Sequence, residues 1–296
     1  MVESMKMEVE RINAYDHLKS WEEIYNRTIN TVIFAAPKWA ILSAEYTGGT
    51  PGFWMVGNGQ PLGYFSGSYY ESRNTLILPV FDPIFAPYSD FAVDPTHRKD
   101  VIETFLNYAK DNYDNVIVGP IREDSPTHTY VSKMGEPISH VRIFRTKLKG
   151  DPLEHLYRQR AKTFITAFEG MKRKMHLTVH LHDFTKLDDV LAFSYNLSPV
   201  REFALKSVLA AHRDEVRILE ARKRDKVIGY MVLLDTDRGI YVIINTVPEE
   251  ESMLTIWRYI YDYSRSGVTL EIPAIKHGFV KDLGFKEVKA HIYRLG

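Results

Sequence analysis

Hydrophobic and polar positions follow two spacings along the chain, and the same succession of spacings occurs twice. In the first half, "LGYF" at 62–65 follows the polar turn "GNGQP", and "NTLILPV" at 74–80 is a second apolar segment. In the second half, "IGYM" at 228–231 follows "RKRDK", and "GIYVIINTV" occupies 239–247. These segments have the β-branched and aromatic content of strands, and the turns suit tight hairpins. The pattern therefore predicts strands at corresponding places in the two halves.

A helical pattern follows the strands in each half. Apolar residues recur at spacings of three and four in "DVIETFLNYAKDNY" and again in "SMLTIWRYIYDYSRS". Each helix comes after a proline, in "VDPTHRKD" or "TVPEEESM", and is followed by a buried type of strand, "NVIVGPI" or "VTLEIPAI". Next come "YVSKMGEP" at 130–137 and "FVKDLGFKEV" at 279–288, each with a glycine after a short helical run, and then a final strand. The recurrence of the whole series favours a duplicated domain.

A long helix is predicted to open the second half. Asp151 suits its N-cap, Pro152 its first position, and Glu154 can reach back from the third. The apolar stripe of this helix consists of Leu153, Tyr157, Ala161, Phe164, Phe168 and Met171. We therefore predict an α/β (mixed α+β) protein of two domains, 1–149 and 150–296, each a mixed, mostly antiparallel sheet flanked by helices.

Charge and composition narrow the classes of function. Lys+Arg and Asp+Glu both number 38, so the chain has no overall attraction for nucleic acid or anionic membranes. It contains no cysteine, which excludes disulfides, thiolate metal sites and a cysteine nucleophile. The charged N-terminus and the short apolar runs predict neither a signal peptide nor a membrane span. We expect a cytoplasmic protein whose partners are neither nucleic acid nor membrane.

A histidine-rich segment raises the question of a metal site. In "MHLTVHLH", His176, His180 and His182 would share one face of a strand. Two histidines at this spacing can bind a metal, but no third ligand is indicated. The pattern therefore favours an exposed edge strand, and we expect no metal.

The order of these elements resembles that of the GNAT superfamily of N-acyltransferases: hairpin, "V-x-P" strand end, helix, strand, short helix ending in "LGF", and strand. Two such halves in one chain resemble the tandem-GNAT group, which includes the Fem-type aminoacyltransferases and smaller acetyltransferase-like relatives. "FAAPKWAILSAEYTG", "FWMVGNGQPLGYF" and "YSDFAVDP" are similar to the first half of those relatives, and "LYRQRAKTFITAFEGMKRK" to the basic helix of the second. The resemblance implies transfer of an acyl group from acetyl-CoA, or another acyl-CoA, to a small-molecule or peptide amine.

The resemblance also implies where an acyl-CoA binds. In the family, the pantetheine arm pairs with a strand edge where two strands diverge, and the pyrophosphate sits on the N-terminus of the next helix. The corresponding strands here are 86–94 beside 115–121, and 239–247 beside 268–272. The cofactor-binding candidates are Val93, His97, Arg98, Lys99, Asn245 and Thr246. The basic run at 97–99 favours the first half.

Charge and missing motif residues keep other functions open. The acidic run Glu249–Glu251 in the second half would repel a phosphate, or it only balances the helix N-terminus. The small residues of the family's phosphate loop are replaced by Val101 and Glu103, and by Leu254 and Ile256. The tyrosine that protonates the leaving thiolate in many GNAT enzymes is replaced by Val131 and Val280. The alternatives are therefore a catalytically degenerate protein that binds a ligand or partner, and an aminoacyl-tRNA-dependent aminoacyltransferase.

Polar residues among aromatics supply the remaining candidates. "PVFDPIFAPYSDF" at 79–91 contains Asp82, Tyr88 and Asp90, and it cannot form a regular central strand. By resemblance, Asp90 with Tyr88 would orient or deprotonate the amine, and Asp82 would bind substrate. The alternative is a loop packed by its own aromatics, in which Asp90 caps a turn. Arg158 and Lys162, on one face of the long helix, would bind substrate or simply be solvated.

Overall fold

The computed structural model describes residues 7–28, 32–79, 87–148, 150–174, 177–194, 197–263, 267–273 and 283–296. It divides into two compact units, Met1–Val141 with Lys289–Gly296, and Arg142–Val288. The units differ from the two halves of the sequence because the last strand of the chain is part of the first unit from Lys289 onward. The predicted domain boundary at 149/150, which refers to duplicated modules, stays a prediction.

The described strands and helices follow the order that the residue pattern predicts, while the short helix predicted before Gly284 falls on residues up to 282 that lie outside the described ranges. In chain order, the strands are β1 (Glu8–Arg11), β2 (Thr50–Gly57), β3 (Pro61–Tyr70), β4 (Thr75–Leu78), β5 (Ala92–Val93), β6 (Asn115–Arg122), β7 (Gly135–Lys147), β8 (Leu177–His182), β9 (Val216–Lys223), β10 (Lys226–Thr236), β11 (Gly239–Asn245), β12 (Thr269–Pro273) and β13 (Lys286–Leu295). The helices are α1 (Leu18–Arg27), α2 (Pro37–Tyr46), α3 (Arg98–Asn112), α4 (His128–Met134), α5 (Pro152–Arg158), α6 (Lys162–Lys174), α7 (Leu187–Ser194), α8 (Pro199–Ala211) and α9 (Glu249–Asp262).

The sheet of the first unit has the strand order β1-β2-β3-β4-β6-β13-β7, and β5 pairs with β3. The pairings β1–β2, β2–β3, β3–β4 and β6–β13 are antiparallel. Strands β4 and β6 are parallel, because α3 carries the chain between them. Aromatic and aliphatic side chains from the strands pack with α3 and Val131 of α4 in one core.

The second unit repeats this plan in the order β7-β12-β11-β10-β9-β8. Strands β11 and β12 are parallel, because α9 carries the chain between them, and the pairings β7–β12, β10–β11, β9–β10 and β8–β9 are antiparallel. Among the pairings given above, each unit thus has one parallel pair of strands. The predicted fold class, a mixed and mostly antiparallel sheet with helices in each half, is confirmed. Among the described residues, no helix is long and apolar enough to cross a membrane.

Both predicted hairpin turns are present, with the backbone geometry that short turns require. Gly59 has a φ of 89° between β2 and β3, and Arg224 and Asp225 have φ of 49° and 63° between β9 and β10. The repeated helix-end motif is less uniform. Gly135 is extended, with a φ of −133°, whereas Gly284 has a left-handed φ of 75°.

The predicted long helix from Asp151 is wrong in one respect, because the chain forms two helices. Asp151 does cap α5, but the chain leaves helical geometry after Arg158, and Arg160 takes a φ of 56°. The break changes which face is buried. Tyr157, predicted in the apolar stripe, is 61% exposed, while Phe164 and the later stripe residues on α6 are buried.

Trp257 of α9 lies at the centre of the core of the second unit. Its side chain is 0% exposed, and its ring is 5.8 Å from that of Phe164, centroid to centroid, at an interplanar angle of 78°. The ring of His155 on α5 also contacts the Trp257 ring, and the two ring centroids are 5.9 Å apart. One residue therefore joins α5, α6 and α9.

We expect Trp257→Ala to lower the free energy of unfolding by about 3–5 kcal/mol, because a buried indole leaves a large cavity. Trp257→Phe should lose clearly less, since the indole Nε1 makes no hydrogen bond in the structure. Urea denaturation checks both, with the exposed Tyr157→Ala as control at about 0.5 kcal/mol or less. If Tyr157→Ala and Trp257→Ala lowered the free energy of unfolding equally, this packing would be contradicted.

Candidate functional site

In the first unit, a gap opens where two parallel strands separate. Strands β4 and β6 are paired up to Leu78 and Val118. The chain returns to β6 at Ser89, whose N–H donates to Pro120 O at 3.0 Å. Beyond Ser89 the chain forms β5, which pairs with β3, while β6 ends at Arg122. Within the described ranges, which leave out 80–86, the backbone that follows Ser89 therefore has no strand partner on its β6 side.

The main-chain groups of Phe91 and Val93 face this gap. Asp94 N–H donates to Leu62 O at 2.7 Å, and β5 pairs with β3 in antiparallel register. Hydrogen-bonded and non-hydrogen-bonded positions alternate along an antiparallel strand. Phe91 and Val93 occupy the positions whose N–H and C=O groups point away from β3.

Two of these four groups have partners, and two do not. Phe91 N–H donates to Asp90 Oδ1 at 2.7 Å, and Val93 O accepts from Thr28 Oγ1 at 2.9 Å. In the part of the chain that the structure describes, no group bonds Val93 N–H or Phe91 C=O. Val93 is 0% exposed, so its N–H is a buried donor with no partner among the described residues. An extended ligand with one acceptor and one donor would satisfy both groups.

Helix α3 begins just beyond this edge, with basic residues in its first turn. The first intrahelical bond runs from Val101 N–H to His97 O at 3.0 Å, so the N–H groups of Arg98, Lys99 and Asp100 have no intrahelical acceptor. Arg98 Nε is buried and has no hydrogen-bond partner. These donors, two positive side chains and the helix dipole together favour an anion at this point.

His97, the other basic candidate, is already engaged. Its Nδ1 lies 2.8 Å from Thr96 Oγ1 and 3.5 Å from Asp94 Oδ1. The two positions that the resemblance assigns to small residues lie inside α3. Val101 is buried there, in contact with Gly63, where an added Cβ would lie 2.5 Å from Val101 Cγ1. A helical turn therefore stands where the family has a phosphate loop.

Asp90 is a buried anchor between β5 and the loop before α4. Its side chain is 7% exposed, and Oδ2 accepts from Ser125 Oγ at 2.5 Å. Ser125 Oγ in turn accepts from Thr127 N–H at 3.1 Å. Burial raises the pKa of the Asp90 carboxyl, and donors from Ser125 and Thr127 partly oppose this rise. Both oxygens are occupied, so the carboxyl holds the Phe91 backbone in place.

Tyr88 and Asp90 come together around a buried arginine. The guanidinium of Arg122 lies 6.0 Å from the centroid of the Tyr88 ring, and its charge also acts on Asp90. The Tyr88 ring packs edge-on against Phe34 at 5.1 Å. Tyr88 therefore forms part of the wall beside Asp90, while Asp82 lies outside the described residues.

The corresponding edge of the second unit is closed by its own turn. Thr246 N–H donates to Tyr230 O at 2.9 Å, so Asn245 and Val247 face away from β10. Val247 N–H donates to Asn245 Oδ1 at 3.1 Å, and Val247 O accepts from Ser252 Oγ at 2.8 Å. The Thr246 hydroxyl accepts from Tyr230 N–H at 2.8 Å. Both predicted residues, Asn245 and Thr246, thus use their side chains to hold the turn.

Charge at the start of α9 is opposite to that at α3. Glu249, Glu250 and Glu251 occupy its first turn, and Glu251 Oε1 pairs with Lys223 Nζ at 2.7 Å. Carboxylates stabilise a helix N-terminus but repel a phosphate there. The start of α3 therefore favours an anion, and the start of α9 does not.

Solved structures with the same architecture cover nearly the whole chain. A tandem GNAT protein from the clavulanic acid biosynthesis pathway aligns over 98% of this chain and 98% of its own, with a TM-score of 0.57 and 11% identity. FemX aligns over 97% of this chain and 96% of its own, with a TM-score of 0.62 and 12% identity. The chain has the tandem GNAT fold.

A third structure with a similar fold is the C-terminal domain of a putative lysylphosphatidylglycerol synthetase from Agrobacterium fabrum. It aligns over 96% of this chain and 92% of its own, with a TM-score of 0.52 and 10% identity. No family model matches the chain, and no curated protein matches it in sequence. At these identities, the likeness shows the tandem GNAT fold alone.

The sequence-based expectation that Arg158 and Lys162 share a helix face needs correction. Arg158 and Lys162 do not share a helix face, because α5 ends at Arg158 and α6 begins at Lys162. Arg158 instead pairs with Glu154 at 2.5 Å.

Within the described ranges, no group of histidine or acidic side chains could hold a metal. His180 and His182 lie on β8, the last strand in the order of the second unit.

Several residues of this candidate site carried no recognisable signal in the sequence. Thr28, Arg122, Ser125 and Thr127 act through partners far away in the chain.

A tyrosine does approach α4, although not from the position that Val131 occupies. Tyr293 Oη lies 2.6 Å from His128 Nε2, and burial lowers the pKa of His128. The neutral imidazole can therefore accept a hydrogen bond from the Tyr293 hydroxyl.

The raised pKa of Asp90 has a defined effect on stability. A carboxyl whose pKa is raised by folding stabilises the protein below its ordinary pKa of about 3.9 and loses this contribution as the pH rises through the folded value. The free energy of unfolding of the wild type, minus that of Asp90→Asn, should therefore fall between pH 4 and pH 8. Urea titrations measure this difference, with the exposed Asp111→Asn as the control. A difference that is constant or rises with pH would be inconsistent with a buried Asp90.

Proposed function

We propose that the chain transfers an acyl group, with acetyl as the first expectation, from acyl-CoA to an amine, and that the first unit binds the donor. The proposal is carried by the unpaired Val93 N–H and Phe91 C=O beside the start of α3. These groups face a gap between diverging strands, and the free N–H groups and side chains of Arg98 and Lys99 lie next in the chain. The tandem GNAT fold supports the same assignment.

Each group in this region has a distinct role toward the donor. The Phe91–Val93 edge would hold the amides of the pantetheine arm, and the first turn of α3 would hold the pyrophosphate. Asp90 acts as a positioning residue, since its bond to Phe91 N–H fixes the direction of the edge. Bound acyl-CoA supplies an acyl carbon activated as a thioester. The attacking amine would displace the thiolate from this carbon as the C–S bond breaks, and the proton that the amine loses would neutralise the leaving thiolate.

A second function, ligand binding without catalysis, has specific support. Val131 is fully buried where many GNAT enzymes place a tyrosine, and residues 98–103 are helical rather than a loop of small residues. Both features weaken catalysis more than they weaken binding. The two functions therefore differ in turnover, and donor binding is common to both.

Acetyl-CoA should stabilise the protein against heat. A ligand at about 1,000 times its Kd adds about 4 kcal/mol to the free energy of unfolding. We expect the double variant Arg98→Glu/Lys99→Glu to weaken binding about tenfold or more, because it reverses the charge at a phosphate site. The helix should persist, since glutamates suit its N-terminus. Isothermal titration calorimetry measures the affinities.

The matched control is Lys110→Glu, at the other end of α3 and about 18 Å away along the helix. It should leave the acetyl-CoA affinity of the wild type unchanged. Absence of any acetyl-CoA binding to the wild type would refute the proposed donor. Binding without thiol release across a panel of amines would select the non-catalytic function, and stabilisation by aminoacyl-tRNA alone would select the third alternative.

A further inference from the structure

Strand β8 of the second unit has a neighbouring strand on one side only, within the ranges that the structure describes. It is the last strand in the order of this unit and pairs in antiparallel fashion with β9. An edge strand presents a row of main-chain N–H and C=O groups that can pair with a further strand. The free side of β8 is therefore a surface on which another extended segment can add.

The register of the second unit determines which residues present these groups. Asp235 N–H donates to Glu215 O at 2.8 Å, one pair beyond the antiparallel register of β9 and β10. Since bonded and non-bonded pairs alternate, odd-numbered residues of β9 bond β10, and even-numbered residues bond β8. Glu220 is opposite His180, so the even-numbered residues of β8 bond β9 in return. The residues whose main-chain groups point to the free side are Leu177, Val179 and Leu181.

The composition of β8 leaves this edge without the usual protection against pairing. The edge strand of the first unit, β1, has four residues, and three of them are charged. By contrast, β8 has the six residues "LTVHLH", with no Asp, Glu, Lys, Arg, Pro or Gly. Charges, prolines and short length are the features that keep edge strands apart. Val179 and Leu181 are also only partly buried against the core of the second unit, so a further strand would cover them.

We propose that β8 pairs with β8 of a second copy of the chain, in antiparallel fashion about a twofold axis at Val179. In this register each Val179 faces the other, and Leu177 of each copy faces Leu181 of the other copy. These three pairs are all of the hydrogen-bonded kind, so every outward N–H and C=O group of Leu177, Val179 and Leu181 obtains a partner. Thr178 then faces His180 of the other copy on the opposite side of the sheet.

Other arrangements of the same edge satisfy fewer groups. An axis at His180 would place Leu177 opposite a residue beyond the end of β8, and it would set two histidine side chains against each other. An axis between two residues would put core-facing side chains opposite solvent-facing ones. Pairing of β8 with β1 of another copy would continue as a fibre instead of closing, and the charges of β1 oppose it. The closed dimer requires no acyl donor, so this inference is independent of the proposed acyl transfer.

Sedimentation velocity of the full chain over a wide range of concentrations tests the association, and a monomer–dimer equilibrium is expected. Val179→Pro removes an N–H that makes no bond within the chain, and proline is tolerated on edge strands. Because two hydrogen bonds at the axis are lost, the dimer should weaken about tenfold or more. The matched control Val179→Ala keeps the N–H and should weaken the dimer clearly less. Urea denaturation verifies that both variants fold.

Cross-linking tests the register, because the chain has no cysteine of its own. The Cα atoms of a hydrogen-bonded antiparallel pair are about 5.5 Å apart, within the range of about 4.4–6.8 Å that disulfides span. Val179→Cys should therefore form a disulfide-linked dimer under mild oxidation. Leu181→Cys is the control, since the two introduced cysteines would be four residues, or about 13 Å, apart along the strands.

A chain that stays monomeric at every concentration would overturn the proposal and leave the edge to a strand from a different protein. A dimer that Val179→Pro does not weaken would overturn the assignment to β8. Cross-linking of Leu181→Cys as fast as that of Val179→Cys would overturn the twofold axis at Val179.

Discussion

The separation of two parallel strands is the constraint on which the site depends. A sheet satisfies backbone N–H and C=O groups by pairing, so strands that separate leave groups that need other partners. In the first unit, Thr28 and Asp90 supply two partners, and no other residue that the structure describes bonds Val93 N–H or Phe91 C=O. In the second unit, the side chains of Asn245 and Ser252 occupy both main-chain groups of Val247. The same fold thus presents one edge that can accept an extended ligand and one that cannot.

Charge at the next helix reinforces this difference. Free N–H groups at a helix N-terminus attract anions in any protein, and neighbouring side chains decide whether an anion can stay. Arg98 and Lys99 add positive charge at α3, while Glu249–Glu251 place negative charge at α9. Backbone pairing and charge therefore agree in each unit: the first combines an open edge with positive charge, and the second combines a bonded edge with negative charge.

The order of strands and helices could be predicted from the sequence because its signals are local. Turn residues such as Gly59 and the spacing of apolar residues in α3 and α9 act within a few positions. The division of the chain into units was harder to predict. Strand β13 pairs with β6 of the first unit, and its alternating apolar pattern does not show with which strand it pairs. The break at Arg160 was also missed, because arginine has no intrinsic preference for a positive φ.

The site was predicted in outline only. The basic run at 97–99 was visible because charge is a property of the residue itself. The role of Asp90 was not, because it depends on Ser125, 35 positions away, and the Val93 carbonyl depends on Thr28, 65 positions away. Such long-range partners fix the position of Asp90, and only the folded chain shows them.

Selective labelling of valine with ¹⁵N offers the most direct test, because Val93 and Val247 occupy corresponding edges of the two units. Their amide signals can be assigned from Val93→Ile and Val247→Ile variants and followed as acetyl-CoA is added. Formation of a new hydrogen bond at the first edge predicts a large downfield shift of the Val93 amide proton, with the Val247 signal unchanged. A shift at Val247 with none at Val93 would contradict the assignment of the donor to the first unit.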